Sequence, residues 1–342
     1  MYKSISQHSF FIYIARKALF YVIIFFLAFS AVFFTVRLIP GDPISTYVRY
    51  IEETYHQTNP DTYKLILLWK EKFGLDKDIL TQYITYWKNI LFEFDFGPSI
   101  RLMPKTAQEV VLEALPWTIG LLGTSTVIAW IFGVVAGTIV GWKRGTKTDS
   151  VLFTISLFFS QIPYYLVAIF LLLTFSYYFA IFPSRGAYSP TSIPSFNIGF
   201  ILDVFYHATL PALSLILVSF FSWLISTRAL TVSILGEDYL IFAKSKGLKN
   251  TKILNRYILR NTLLPQITGL AMSLGFIVNG SLMVEWIFSY PGLGSALIYA
   301  MQMLDYNVIQ AIIFLSMLTV LFANFLIDVL YPLVDPRIRH GG

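Results

Sequence analysis

The sequence predicts an all-α membrane protein with six transmembrane helices and an external helical insert between the first two. Of the 342 residues, 56% are hydrophobic and 13% are charged, whereas soluble chains average about 25% charged residues. Six apolar stretches also approach or exceed the roughly 20 helical residues needed to cross a ~30 Å hydrocarbon core. They are Ala18–Leu38, Trp117–Gly141, Val151–Tyr178, Ala208–Ile225, Leu263–Val284 and Val308–Leu330.

The distribution of Lys and Arg predicts the orientation of these stretches. Residues 1–17 hold three cations, residues 142–150 hold three and the polar stretch 237–265 holds six, whereas the short loops after the third and fifth apolar stretches hold only Arg185. Cytoplasmic loops are enriched in Lys and Arg, so we expect both termini of this multi-pass cell-membrane protein in the cytoplasm. The expected divisions are a cytoplasmic N-terminus at 1–17, a first transmembrane helix at 18–38, an external helical segment at 39–115, a five-helix core at 116–333 and a cytoplasmic tail at 334–342. The first stretch is too long for the apolar part of a signal peptide, which predicts an uncleaved anchor.

The external segment is expected to fold as a small structure of its own. Asp61–Phe73 and Leu80–Phe92 have the residue spacing of amphipathic helices, and Gly74 marks a turn between them. We therefore predict two helices in this segment.

Glycine and proline residues predict how the transmembrane helices pack and bend. Gly133, Gly137 and Gly141 recur every fourth residue in the second apolar stretch, and small residues on one helix face allow another helix to approach closely. We expect close helix packing there rather than contact with a solute. Pro163 and Pro211 each remove a backbone hydrogen bond and are expected to kink the third and fourth stretches.

The polar stretch 237–265 predicts a short helix, a glycine break and a second, basic helix. Glu237 and Asp238 suit a helix N-terminus, Gly247 suits the left-handed turn that ends a helix, and Asn250 suits the cap of the next helix. An apolar face of the first helix is formed by Tyr239, Leu240, Phe242 and Ala243. Four cations of the second helix share one face at spacings of three and four: Lys249, Lys252, Arg256 and Arg260. The alternative is a solvated cytoplasmic loop whose cations only follow the positive-inside rule.

This stretch resembles the EAA loop of ABC-importer permeases, the cytoplasmic element that docks on the ATPase subunits. Ala243, Gly247 and the pair Leu264-Pro265 match the loop. Ile241 and Phe242 stand where the loop's name would put Glu and Ala, and the distance from Gly247 to Pro265 is longer than in sugar permeases. Both departures are usual in the branch that imports dipeptides, oligopeptides and nickel.

Further motifs along the chain are similar to that branch. They are RLIPGDP at 37–43, FGLD at 73–76, DFGPS at 95–99, LPWTIGLL at 115–122, VEWIFSYPGLG at 284–294 and the C-terminal IDVLYPLVDPRIRHG. The resemblance implies a permease subunit that forms half of a solute pathway in a heterodimer with a second homologous permease. Two ABC ATPase subunits would hold ATP and Mg²⁺, and an external binding protein would deliver a peptide, an oligosaccharide or a nickel complex. The chain itself would carry no cofactor.

The resemblance also suggests where the functional residues lie. The ATPase-coupling residues would be Glu237, Asp238, Tyr239, Ala243, Lys246, Gly247, Leu248, Lys249 and Asn250. Residues of the solute path would be Gln161, Asn279, Ser281 and Glu285. Contacts to the binding protein would come from Asp42, Pro291 and Gly292.

The sequence disfavours catalysis and several kinds of binding site. The chain has no Cys and no phosphate-binding G-x-x-x-x-G-K-[ST] loop, and its four His residues are not spaced as metal ligands. A Ser/His hydrolase built on His207 and Ser214 is also disfavoured, because a single His near a membrane boundary is more often a hydrogen-bonded structural residue than a catalytic base. The net charge of +6 follows the membrane topology and does not indicate nucleic-acid binding. Arg37 and Arg228 lie at span ends, and we interpret Arg37 as a residue without a functional role whose long side chain reaches the membrane interface. Whether Glu285 and Asp328 have a functional role is left open. The alternative function is an autonomous channel or secondary transporter.

Overall fold

A computed structural model of the chain describes residues 7–55, 62–72, 74–277 and 281–334, and its elements are helices. They are α1 (Gln7–Arg37), α2 (Pro43–Tyr55), α3 (Thr62–Lys72), α4 (Ile79–Glu93), α5 (Ala107–Trp142), α6 (Lys147–Phe159), α7 (Tyr164–Leu171), α8 (Ile198–Ile234), α9 (Asp238–Ser245), α10 (Asn250–Ile253), α11 (Arg260–Gly275), α12 (Leu282–Ile287), α13 (Leu293–Gln302) and α14 (Tyr306–Val334). A π-helical segment, Leu172–Tyr178, continues α7, and a second one, Leu254–Leu259, joins α10 to α11. The all-α class is confirmed.

Four helices among the described residues are long and apolar enough to cross a membrane. Their apolar regions are Ile12–Arg37, Ala107–Trp142, Ile198–Ile234 and Tyr306–Leu326. They correspond to the first, second, fourth and sixth predicted stretches.

The third predicted stretch, Val151–Tyr178, is broken rather than continuous. Helix α6 and the α7 segment meet at a bend of 91°, and Pro163 occupies the N-cap position of α7. Proline lacks the N–H that would continue the preceding helix and disfavours helical backbone in the residue before it. The predicted kink at Pro163 is thus a full break, whereas α8 runs on through Pro211. If the bent pair counts as one span, the described residues hold five.

The fifth predicted stretch, Leu263–Val284, is not one described helix. Helix α11 ends at Gly275 after 16 residues, and α12 begins at Leu282. Residues 278–280 lie outside the described part of the chain. The part of the predicted stretch that lies in α11, residues 263–275, has 13 residues and extends for about 20 Å at 1.5 Å per residue, less than the ~30 Å core. The described helices therefore provide four or five candidate spans instead of the expected six.

The chain divides into two compact units, residues 1–115 with 296–342 and residues 116–295. In the first unit α1 pairs with α14 through aromatic contacts, with the rings of Phe25 and Phe29 meeting Phe314 edge-on at 5.0 and 5.1 Å. Asp328, left open by the sequence, accepts from Lys17 at 2.7 Å and from the Tyr21 hydroxyl at 3.0 Å. An ionised side chain in an apolar pair of helices is expected to be paired, so Asp328 has a structural role.

The described residues of the segment between the first two apolar stretches form three helices before α5, whereas two were expected. Helices α3 and α4 match the predicted pair, and Asp78 caps α4 by accepting from the Thr81 N–H. Helix α2 was not predicted. Pro43 is its first residue, and the Asp42 carboxylate accepts from the backbone N–H of Ser45 at 2.9 Å. Proline at the first helical position after a capping Asp is a common helix start.

In the second unit α5 packs closely on α8 along its glycines, as predicted. A β-carbon added at Gly137 would lie 2.6 Å from the Leu224 carbonyl oxygen and 2.7 Å from Thr227 Cβ. Gly133 and Gly141 approach α8 equally closely. A charged pair also holds α6 to α8, because the Arg228 guanidinium donates to both carboxylate oxygens of Asp149 at 2.6 and 2.9 Å. Arg228 therefore has a buried partner.

Candidate functional site

The short helix predicted after Glu237 is present as α9. Glu237 occupies its N-cap position but forms no side-chain cap hydrogen bond. Asp238 lies in the first turn, where its charge favours the helix dipole. Gly247 follows the helix with a φ of +69°, the left-handed conformation that a glycine adopts at little cost. The glycine break is confirmed.

The apolar residues of α9 lie on two faces rather than one. Leu240 and Ala243 are buried in a small core with Ile253 and Ile258, and the partly buried Trp142 at the end of α5 packs against it. The opposite side is open, with Ile241 59% exposed and Phe242 60% exposed. Tyr239 is also exposed, and its hydroxyl accepts from Asn261 Nδ2 at 3.1 Å. Residues in a helix are separated by about 100°, so neighbouring apolar residues diverge to different sides.

The expected cap at Asn250 was wrong. Lys249 occupies the N-cap position of α10 with no side-chain cap bond, and Asn250 is the first helical residue. Leu248 is half-buried against the small core. The Lys246 ammonium lies 4.4 Å from the centre of the Phe242 ring, a cation–π contact. The cations at 249, 252, 256 and 260 are all exposed, as expected of a basic face. Helix α9 thus presents an apolar patch beside a basic surface.

The residues assigned to a solute path differ in their surroundings. Gln161 is exposed at the break between α6 and α7, and Ser281 is half-buried at the N-cap of α12. Asn279 lies outside the described residues. The Glu285 side chain is fully buried, and its carboxylate accepts from the Thr118 hydroxyl at 2.9 Å and from the Gly294 N–H at 2.6 Å. Its burial argues against direct contact with a solute.

The turn before α13 is built around this carboxylate. Thr118 also accepts from the Leu293 N–H at 2.8 Å, so one hydroxyl connects α5, α12 and the turn. Gly292 is buried, and a β-carbon there would collide with the Glu285 carboxylate and lie 2.6 Å from Thr118 Oγ1. Pro291 remains exposed at the tip. Sequence reasoning missed Thr118, although a hydroxyl in the apolar LPWTIGLL motif was a signal.

Asp42, which was assigned to contact the binding protein, forms hydrogen bonds and an ion pair within its own segment. In addition to capping α2, it forms an ion pair with Lys70 of α3 at 3.2 Å. Burial alone would raise the pKa of Asp42, but hydrogen bonds from Ser45 and Lys70 outweigh it and hold the pKa below its ordinary value. The carboxylate therefore fastens α2 to α3. Its contact with a partner stays a prediction.

In the part of the chain that the structure describes, no three His, Cys, Asp or Glu residues are grouped to hold a metal ion. Asp149 of α6 and Arg228 of α8 form an ion pair, and the charged side chains of α9 and α10 are exposed. The arrangement offers docking surfaces and helix packing rather than reactive groups.

Comparisons with known proteins identify the family of the chain. The family described as "Binding-protein-dependent transport system inner membrane component" matches residues 133–340. The chain is 32% identical to the glutathione transport system permease protein GsiC of Shigella flexneri and of Escherichia coli K12, over 96% of this chain and 99% of each relative. It is 31% identical to the di/tripeptide transport system permease protein DppB of Pseudomonas aeruginosa, over 96% and 98%. Members of this family are non-catalytic transport subunits without a cofactor. The chain belongs to the family of binding-protein-dependent transport system inner membrane components, the permease subunits of ABC importers.

Proposed function

We propose that this chain is one of two permease subunits in an ATP-driven importer of peptides or related small solutes. The proposal includes six transmembrane helices, with both termini and α9 in the cytoplasm. Its partners are a second, homologous permease, two ABC ATPase subunits and an external binding protein. End-to-end similarity to permeases named for glutathione and for di- and tripeptides supports the solute class.

The observation that carries the proposal is the exposed apolar patch of α9. Ile241 and Phe242 leave most of their surface uncovered on a helix whose other side is anchored to the end of α5. Large exposed apolar side chains rimmed by charges mark protein interaction sites. An ATPase groove that covers this patch would transmit its movement to α5 through the core around Leu240. Gly247, Leu248, Lys249 and Asn250 would position the patch, and Lys246 would flank it.

Co-purification tests this assignment. Complete burial of a Phe side chain contributes about 1.5–3 kcal/mol, and covering the exposed 60% of Phe242 would contribute about 0.9–1.8 kcal/mol of that. Phe242→Asp should therefore weaken ATPase binding by about fivefold to twentyfold. Ser233→Asp is the matched control. Ser233 is exposed at the end of α8 that leads into α9, but it lies outside α9 itself. Equal ATPase recovery with both variants would refute docking through α9. An autonomous channel or secondary transporter, the alternative, would move solute without any ATPase subunit.

We further infer that the membrane path is permissive and that the binding protein selects the solute. Three of the four residues assigned to the path, Gln161, Asn279 and Ser281, are uncharged. The fourth, Glu285, is buried and hydrogen-bonded within the chain, so these residues offer no accessible fixed charge to a peptide terminus. Weak contact suits a conduit, since a solute must leave as readily as it enters. Ser281→Ala should lower the transport rate without changing the order of preferred peptides. A changed order, measured with the same binding protein, would place selection inside the membrane.

Docking of the binding protein is assigned to the segment 39–115 and to the turn before α13. Pro291 provides the exposed tip of that turn, and buried Gly292 allows the backbone to pass beside Glu285. Asp42 would contribute indirectly, by holding α2 in the position in which it contacts the binding protein. A Pro291→Asp variant should bind the binding protein less tightly, measured by biolayer interferometry; unchanged affinity would remove the turn from the interface.

A further inference from the structure

A polar cavity lies in the first unit, where α1 ends. Its volume is about 290 Å³, near the lower end of small-molecule pockets. It is formed by the end of α1, the turn after α3, one side of α4, the turn at residues 95–98 and the start of α14. Polar side chains in its wall include Arg37, Glu71, Lys77, Gln82, Asn89 and Asn307.

Arg37 is held in this wall with most of its hydrogen-bonding capacity unused. Its guanidinium carbon lies 3.5 Å from the centre of the Phe33 ring, and Nε donates to Gln82 Oε1 at 3.0 Å. The Gln82 amide is itself fixed by donating to the Lys77 carbonyl at 2.8 Å. Nη1 has one long contact, 3.5 Å to the Phe33 carbonyl oxygen. A guanidinium has five N–H donors, so the end of the fork remains available.

The described residues do not neutralise this charge. None of their ion pairs includes Arg37. Asp95, which also lines the cavity, accepts from the Gly97 N–H at 2.8 Å and from Gln108 at 3.3 Å. The exposed Glu71 and Lys77 carry one charge of each sign. A half-buried cation is expected to have an anionic partner, but Glu71 and Asp95 line the cavity without forming an ion pair with Arg37.

A second polar group in the wall is also without a partner. The hydroxyl of Tyr86 is buried and forms no hydrogen bond within the described structure. Buried hydroxyl groups are normally hydrogen-bonded. Asn307 keeps the opposite wall in place, since its amide donates to the Pro98 carbonyl at 2.8 Å. The cavity is therefore braced by its own hydrogen bonds while Arg37 remains unpaired.

We propose that this cavity is a carboxylate-binding site in which the free edge of the Arg37 guanidinium grips the anion. The planar fork of Arg matches a carboxylate with two parallel hydrogen bonds. Two sources could present this group, a free peptide terminus or an acidic side chain of the external binding protein. The placement of the cavity on the external side rests on the proposed topology, whereas the carboxylate chemistry does not. This role replaces the functionless interpretation of Arg37.

The first arm of the test uses small probes on the full chain in lipid nanodiscs. Ligand-observed NMR should detect glycylglycine binding, with glycylglycinamide at least tenfold weaker because its carboxylate is blocked. Arg37→Gln should lose at least tenfold of the glycylglycine affinity. Lys88→Gln is the matched control, because Lys88 is an exposed cation of α4 outside the cavity. Arg37→Lys retains the charge without the fork and should give an intermediate loss.

The second arm measures the affinity of the external binding protein for the same variants. If glycylglycine does not bind, a tenfold loss in Arg37→Gln but not in Lys88→Gln assigns the carboxylate to the binding protein. Failure of both arms overturns the site. The comparison of glycylglycine with its amide needs no mutation, so a misfolded Arg37 variant would not leave the small-probe arm undecided. ATPase co-purification is scored separately, and its failure would contradict the proposed function without bearing on the cavity.

Discussion

The close approach of α5 to α8 allows one substitution to be worked through in detail. A β-carbon at Gly137 would lie 2.7 Å from Thr227 Cβ, whereas ordinary contacts begin near 3.4 Å. The difference of about 0.7 Å must come from separation of the helices, because the other close atom, the Leu224 carbonyl oxygen at 2.6 Å, belongs to the backbone. Overpacking of this kind costs about 1–3 kcal/mol.

Gly137→Ala should therefore destabilise the chain relative to a glycine of the same helix that has room. Gly120 is such a control, since no heavy atom lies within 4 Å of a β-carbon there. Both changes gain about 1 kcal/mol of helix propensity, and this gain cancels in the comparison. We expect Gly137→Ala to be about 1–3 kcal/mol less stable than Gly120→Ala.

The assay is reversible unfolding of the detergent-solubilised chain in SDS, followed by tryptophan fluorescence. Trp223 of α8 is a suitable reporter, because a β-carbon at the neighbouring Gly133 would lie 2.5 Å from its Cβ. Equal stability of the Gly137→Ala and Gly120→Ala variants would refute the close packing of α5 on α8.

Three further predictions concern local structure. Gly247→Glu should insert normally but reduce ATPase stimulation, because φ of +69° costs a non-glycine residue about 1–2 kcal/mol; Gly247→Asn, which tolerates this conformation, should retain more activity, and equal ATPase rates for the two would contradict it. Arg228→Ala should destabilise the chain by up to about 3–5 kcal/mol because it removes the cation from the buried Asp149 carboxylate, which keeps only the hydrogen bond from the Gly145 N–H, and a double-mutant cycle in SDS unfolding that shows no coupling would refute the pairing. Glu285→Ala should slow transport, since it leaves both the Thr118 hydroxyl and the Gly294 N–H without an acceptor; transport assays in proteoliposomes that give wild-type rates for Glu285→Ala would remove this carboxylate from the organisation of the turn.

Features that depend on composition or on local backbone were predictable from the sequence. Long apolar stretches identify spans because the bilayer requires sustained hydrophobicity, and four of them are matched by α1, α5, α8 and α14. Gly247 was predictable because few other residues adopt a positive φ at a helix end. The glycines facing α8 were predictable because their spacing of four is visible without knowledge of the partner helix.

Features that depend on distant contacts were not predictable. Glu285 and Thr118 are separated by 167 positions, and neither side chain signals the other in the sequence. The apolar residues of α9 were grouped on one face because the position of Trp142, which decides the buried side, is fixed by the fold. The cap at Asn250 was wrong because Asn250 is already the first helical residue and the N-cap position falls on Lys249. The role of Arg37 was not predictable because the residues that surround its guanidinium come from distant parts of the chain.

Site-specific photo-crosslinking at Phe242 tests the central claim, that α9 docks on an ATPase subunit. A benzophenone side chain placed at this 60% exposed position in the assembled transporter should give an adduct with an ATPase subunit on illumination. The same group at Leu80, which is 61% exposed at the start of α4, is the control and should give no ATPase adduct because the proposed topology places it outside. An ATPase adduct from Leu80, or none from Phe242, would contradict the account.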